Sequence, residues 1–240
     1  MTSAFPRRGF GLASAGLIAG TPALAQTAPA AERLGYLFVM GSSTKPEVMA
    51  AYAKTLPAIY AKYQGSYLAT GGPATTLKVL EGNFKAQTVL IARFPSPDAV
   101  NEFWWSPEYR KSAAMRFGAG SFDVLRLKGR PGETARPAGK PAYLIGIEEM
   151  KNPDKMKEYT VKAGPLVAAH GGKIIAGGGR KDIELLEGVF GNKQMTIVRF
   201  DSLKVLRDFY NDPAYQAAIP LRRAAAESVV LELDGIETKG

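Results

Sequence analysis

The single histidine, His170, is the only side chain whose unperturbed pKa lies near neutrality, which makes it the default proton donor or acceptor. It stands before Gly171-Gly172 at the end of a helically spaced stretch, where an imidazole can equally cap the last carbonyls and meet the helix dipole. Arg93 and Arg199 each precede a phenylalanine, Phe94 and Phe200, in runs whose alternation reads as strand. With the phenylalanines under helices, both guanidiniums point to the opposite face of the sheet. There they suit a carboxylate or an enolate oxygen, held by paired hydrogen bonds, unless Glu81 or Glu187 on a neighbouring strand takes them first. Tyr36, Tyr52 and Tyr109 recur as Tyr143, Tyr159 and Tyr215, either packed with the phenol tip hydrogen-bonded or lining a cavity. Trp104 and Trp105 follow Phe103 in a short helical stretch, so one indole faces outward, at a pocket rim or a partner surface. The candidates are therefore His170 and Arg199 for catalysis, and Tyr159, Tyr143, Arg93, Tyr52 and Trp104 for ligand contact.

Other chemistries fall away. With no cysteine there is no thiolate nucleophile, iron-sulfur centre or cysteine-ligated zinc. One histidine rules out a multi-histidine metal site within the chain, and Glu148-Glu149, Asp182, Glu184 and Glu187 lack ligand spacing. The glycines at Gly71-Gly72 and Gly177-Gly178-Gly179 precede no helix with Lys-Ser or Lys-Thr, so they read as turns after a short extended segment. No nucleophile-base-orienter triad can be assembled. No cofactor is assigned; a haem would find only His170 as an imidazole ligand.

The chain has 240 residues, 46% hydrophobic and 22% charged, with formal charge +9, which is the composition of a folded globular protein of one or two domains. Its lysines and arginines are scattered, with no nucleic-acid-binding motif among them, so the charge favours solubility and anionic small molecules over nucleic acid. Arg7-Arg8 heads a weakly apolar run that ends in Ala23-Leu24-Ala25. That is the order of a signal peptide with a twin-arginine-like start. Residues 1–25 are expected to be removed and 26–32 to form a leader, placing a mature chain of charge +7 (nine minus Arg7 and Arg8) in the periplasm or outside the cell. No stretch suits stable membrane insertion.

The elements that must position the candidates come in two copies. Tyr36-Leu37-Phe38-Val39 answers Tyr143-Leu144-Ile145-Gly146, Leu80-Glu81-Gly82 answers Leu186-Glu187-Gly188, and Arg93-Phe94 answers Arg199-Phe200. Residues 33–129 and 141–235 are thus a tandem repeat, joined by a Gly-, Pro- and charge-rich connector at 130–140. The first copy predicts strands at 34–40, 77–81, 87–94 and 122–127, a helix over 45–63 and short helices from Pro97 and Pro107. The second repeats the order from 142 to 233. Strand, helix, strand, strand, helix, strand is an α+β, ferredoxin-like unit. Strands apolar on both faces are best covered by packing the two sheets against each other, forming a barrel within one chain that serves as a monomer or assembles as a homodimer. The space between the sheets then holds a small, partly apolar or anionic organic molecule, or is simply packed.

Tyr159, Ala169-His170-Gly171-Gly172, Leu186-Glu187-Gly188, Val198-Arg199-Phe200, Asp212-Pro213-Ala214-Tyr215 and Arg222-Arg223-Ala224-Ala225-Ala226 resemble the bacterial family of unknown function numbered 1330, of the dimeric α+β barrel group. Both copies match, the second more closely. The resemblance implies the fold but no reaction: related barrels include isomerases, cofactor-free oxygenases, haem enzymes and binding proteins. The first copy departs from the pattern with Tyr63-Gln64-Gly65 for His170-Gly171-Gly172 and Trp104-Trp105 for Tyr210-Asn211, which points to one functional half. The functional expectations are a small-molecule binder, a metal-free isomerase or oxygenase-like enzyme with His170 as acid or base, and a structural or interaction module.

Overall fold

In the computed structural model the described residues are 33–72, 75–133 and 138–237, all within one compact unit, Ala31–Gly240. The expected export segment and the whole of the leader lie outside them. The first repeat runs β1 (Gly35–Ser43), α1 (Pro46–Lys62), β2 (Ser66–Gly71), β3 (Leu77–Glu81), β4 (Thr88–Phe94), α2 (Pro97–Trp105), α3 (Pro107–Ala114) and β5 (Gly120–Lys128). The second runs β6 (Ala142–Met150), α4 (Pro153–Ala169), β7 (Lys173–Gly178), β8 (Ile183–Glu187), β9 (Lys193–Phe200), α5 (Leu203–Tyr210), α6 (Pro213–Ala225) and β10 (Ala226–Asp234).

Local sequence explains most boundaries. Pro153 opens α4 behind Asn152, whose side chain accepts from the Lys155 amide at 3.1 Å; Ser96, Ser106, Ser202 and Asp212 cap α2, α3, α5 and α6 in the same way. Helix α4 ends at His170 and Gly171, whose φ of +69° glycine adopts without strain.

The described strands form two antiparallel five-stranded sheets, in the orders β2-β4-β1-β5-β8 and β3-β10-β6-β9-β7. Two points depart from the sequence expectation. The glycine segments after 66 and 173 close real strands, β2 and β7, each bulged against its neighbour. And the strands at 77–81 and 183–187 do not join their own repeat's sheet. Strand β3 crosses to pair with β10, and β8 crosses back to pair with β5. Leu77 and Val79 of β3 then face between the sheets while Leu80 packs under the second repeat's helices.

The two sheets face each other as expected. Tyr36, Phe38, Val89, Ile91, Leu125 and Leu127 meet Tyr143, Ile145, Met195, Ile197, Leu231 and Leu233 in one continuous apolar layer. Each such side chain contributes about 1.5–3 kcal/mol by leaving water. Between the sheets, then, the described residues mainly pack against one another. Helices cover the outer faces, and their cores around Phe94 and Phe200 are separate from that layer.

Candidate active site

The sequence candidates fall in three places. Arg199 shares the inward face of β9 with Met195 and Ile197, as its parity requires, and is 9% exposed. It pairs not with Glu81 or Glu187 but with Glu133 of the connector. Arg93 occupies the corresponding place on β4, opposite Tyr36, and Tyr143 lies opposite Arg199. Tyr36 has its phenol pushed up to about 12 by burial and by the Glu133 charge, against the pull of the two arginines. His170 sits elsewhere, with Nε2 2.9 Å from Asp212 Oδ2 and its ring edge-on to Phe209. It ties the end of α4 to the start of α6 and does not line the cavity described next. Trp104, on α2 itself, is buried with Arg110 stacked over it, while Trp105 is exposed.

Tyr52 and Tyr159 occupy equivalent positions on the helix side of the two sheets. The Tyr52 hydroxyl lies 3.1 Å from that of Tyr109, and the Tyr159 hydroxyl 3.0 Å from that of Tyr215. Beside each pair stands an arginine of the following helical segment, Arg116 or Arg222, below 6% exposure. The swapped strands supply the counter-charges. Glu187 on β8 takes Arg116 through two bonds of 2.6 and 2.7 Å, and Glu81 on β3 takes Arg222 Nη2 at 2.5 Å.

The second copy is the more open of the two. A cavity of about 280 Å³ lies between α4, α6 and the outer face of β6, β9 and β10, against about 110 Å³ in the first repeat. The cause is a run of smaller residues at matching positions. Leu56, Tyr60, Tyr67, Leu90 and Phe122 in the first repeat become Ala163, Val167, Ile174, Thr196 and Ser228 in the second. Tyr60, Tyr67 and Phe103 stack at 4.5–4.6 Å in the first repeat; with Val167 and Ile174 the second has no such stack to fill its space.

One position runs the other way. Gly41, opposite Phe122, is replaced by Glu148, opposite Ser228. The carboxylate folds over Gly146, where a Cβ would lie 2.4 Å from Oε1, so a side chain there would push the carboxylate from this position. Burial pushes the Glu148 carboxyl up to about 7, partly offset by the Arg222 charge. Arg222 keeps two buried donors, Nε and Nη1, without a hydrogen-bond partner. Burial also raises Tyr159 and Tyr215, and the former's bond to Tyr215 and the charge of Arg222 only moderate the rise at Tyr159. The cavity thus joins a carboxyl poised near neutrality, a guanidinium with unused donors and a phenol pair, which is the equipment for moving a proton while holding an oxyanion.

Spacing along the sequence sets Glu148 aside as a metal ligand and does not single out Arg222. The signal lies in the self-comparison: Arg222 aligns with Arg116, while Glu148 aligns with a glycine. A haem does not fit these residues, since the imidazole is engaged by Asp212 away from a cavity at the small end of the ligand-pocket range. Among the described residues no three carboxylate or histidine groups gather to hold a metal ion.

The family model "Domain of unknown function (DUF1330)" matches residues 34–130 and again 141–236. The chain belongs to this family. It carries two DUF1330 domains in the dimeric α+β barrel architecture, and their boundaries coincide with the two structural repeats. A solved anthrone oxidase-like protein is 15% identical, over 87% of this chain and 93% of its own, with TM-score 0.51. A protein of unknown function from Rhodopseudomonas palustris is 22% identical over 43% of this chain and 86% of its own, with TM-score 0.34. No protein of curated function matches. The shared architecture with the first of these is one of fold; the chemistry of this DUF1330 pair rests on its own residues.

Proposed function

We propose that this protein is a metal-free enzyme that shifts a proton on a small enolisable ketone bound in the helix–sheet cavity of the second repeat. The observation that carries the reading is the Glu148 carboxyl, held near neutral pKa in the same cavity as the two unpartnered donors of Arg222. Glu148 takes the proton from a carbon next to the carbonyl. The C–H electron pair becomes the new C=C bond as the carbonyl π pair moves to oxygen, and Arg222 receives that oxyanion through Nε and Nη1. On a β,γ-unsaturated ketone the product of this step is a dienolate, and return of the proton from Glu148 to its γ carbon, with the oxygen pair re-forming the carbonyl, moves the C=C bond into conjugation and completes an isomerisation with no co-reactant. Tyr159 and Tyr215 sit beside Arg222 and supply a second hydroxyl donor. The acid–base role expected of His170 passes to Glu148 in this reading.

The volume, near the lower end of the roughly 300–1,000 Å³ of ligand pockets, suits one or two rings. The name of the anthrone oxidase-like structure concerns an enolisable ketone, which is in keeping with the reading although the likeness is one of fold. The reading also takes the protein to be exported, on the strength of Arg7-Arg8 and Ala23-Leu24-Ala25. A mature N-terminus at Gln26 in a periplasmic fraction, read by mass spectrometry, is the expected outcome.

The test of function is solvent-deuterium wash-in to a panel of one- and two-ring ketones, read by mass spectrometry. Wild type should catalyse exchange with a pH midpoint near 7, rising on the alkaline side because the base acts ionised. Glu148→Gln should lose about 10²–10⁴-fold, and His170→Gln should keep most of the rate. Equal rates in wild type and Glu148→Gln would sink the reading. Saturable binding of the same ketones without exchange would leave a binding protein.

A further inference from the structure

Glu81 belongs to the first repeat but is committed entirely to the second. It lies at the end of β3, the strand that crosses to pair with β10, and its side chain is 9% exposed. Three donors converge on it: the Tyr210 hydroxyl at 2.7 Å, Arg222 Nη2 at 2.5 Å and Arg223 Nε at 2.9 Å. Arg222 is 2% exposed and lines the cavity, with Nε and Nη1 left over. A buried guanidinium next to a carboxyl would ordinarily turn toward it and form a forked pair. Here the one carboxyl among the residues lining the cavity with Arg222 is Glu148, and Glu81 competes for the same guanidinium.

We infer that Glu81 is a positioning residue contributed across the repeat boundary: it holds Arg222 by one nitrogen, so that Nε and Nη1 stay available to the ligand and Glu148 is left free to act as base. This rests on the function proposed above. It makes the second site a product of both repeats, because the carboxylate that aims its arginine comes from the first. Burial opposes the ionisation of Glu81, but the Tyr210 bond and the Arg222 charge outweigh it and bring its carboxyl below the usual range. The anchor is therefore charged throughout the range in which Glu148 titrates.

The first repeat supplies an internal control. Glu187 crosses in the opposite direction and clamps Arg116 with both oxygens, but the position of Glu148 is Gly41 there, so the same device serves packing alone. The groups facing Glu148 are Arg222 and Tyr215 from α6, Tyr159 from α4 and Arg130 from the connector, all lining its cavity. From β9 and β10 it meets the neutral Gln194 and Ser228.

The experiment is a carbon-13 NMR titration of the Glu148 carboxyl in the full mature chain, without ligand, assigned by its loss in Glu148→Gln. Glu81→Gln should move the Glu148 midpoint down by about one pH unit or more, as Arg222 turns to it. Glu187→Gln should leave that midpoint in place. In the wash-in assay Glu81→Gln should lower kcat at least tenfold and move the pH midpoint to the acid side by the same amount. Should Glu81→Gln fail to fold, Tyr210→Phe removes one anchor and should give a smaller displacement in the same direction. An unmoved Glu148 midpoint in Glu81→Gln, or equal displacements in Glu81→Gln and Glu187→Gln, would overturn the positioning role. A Glu148 that titrates in the ordinary carboxylate range in wild type overturns the function proposal instead, so the two failures are separable.

Discussion

At the scale of the residue, Glu148 couples the site to stability. Its carboxyl is raised from 4.5 to about 7, so the folded chain binds the proton more tightly than the unfolded one. The resulting stabilisation is full below about pH 4.5 and is lost as pH rises through about 7. A tenfold difference in proton affinity between the two states corresponds to about 1.4 kcal/mol, and solvent screening of a half-buried group cuts the total to about 1–2 kcal/mol. Glu148→Gln, which cannot ionise, should therefore be more stable than wild type at pH 8 by about that amount, with the gap closing toward pH 5. Thermal unfolding of both proteins at the two pH values checks the sign. His170 shows the opposite case: a side chain with the right intrinsic pKa is occupied in holding Asp212 at a helix start. A residue type states what chemistry is available, whereas burial and neighbours decide whether it is used.

At the scale of the element, alternation within 77–81 and 183–187 is enough to show strands with two apolar faces, but not which sheet edge they join. A strand's pattern fixes its faces, while its partner is set by where the preceding turn aims it. The short strands β2 and β7 read from sequence only as extended lead-ins to glycine turns. Gly177, at φ +104°, has the backbone of a turn residue, yet it sits inside a ladder beside a bulge. The exchange has a measurable consequence. The second repeat expressed alone, residues 141–237, lacks the β3 edge on β10 and leaves β8 unplaced. It should pair with a second copy by exchanging β8 for the missing β3, giving a homodimer in sedimentation equilibrium. A stable, well-folded monomer of that fragment would argue against the exchange as a stabilising feature.

At the scale of the whole molecule, the two repeats share the inter-sheet apolar layer and both crossed strands, so neither core is complete without the other. The described chain should unfold in a single transition, with calorimetric and van't Hoff enthalpies in agreement. Two resolved transitions would mean that each repeat holds itself together. The two halves also differ in how they fill the helix side of their sheets. The first repeat has the aromatic filling of Tyr60, Tyr67 and Phe122, while the second lacks it and carries Glu148. Among the described helices none is long and apolar enough to cross a membrane.

The sequence by itself determined the tandem repeat, the α+β unit, the facing sheets and the inward parity of Arg93 and Arg199, because these follow from periodicity and from apolar strands that must be covered on both faces. It also carried the asymmetry between the halves, legible as small residues against large ones. What only the tertiary structure decided was which groups meet. Glu81 and Arg222 are separated by 141 positions, and Arg199 finds its carboxylate in the connector and not on a strand. Likewise the poise of Glu148 arises from the helices laid over it and the glycine beneath it. Side-chain chemistry is local to the chain, but burial, field and hydrogen-bond partners depend on distance in space, which no spacing along the sequence records.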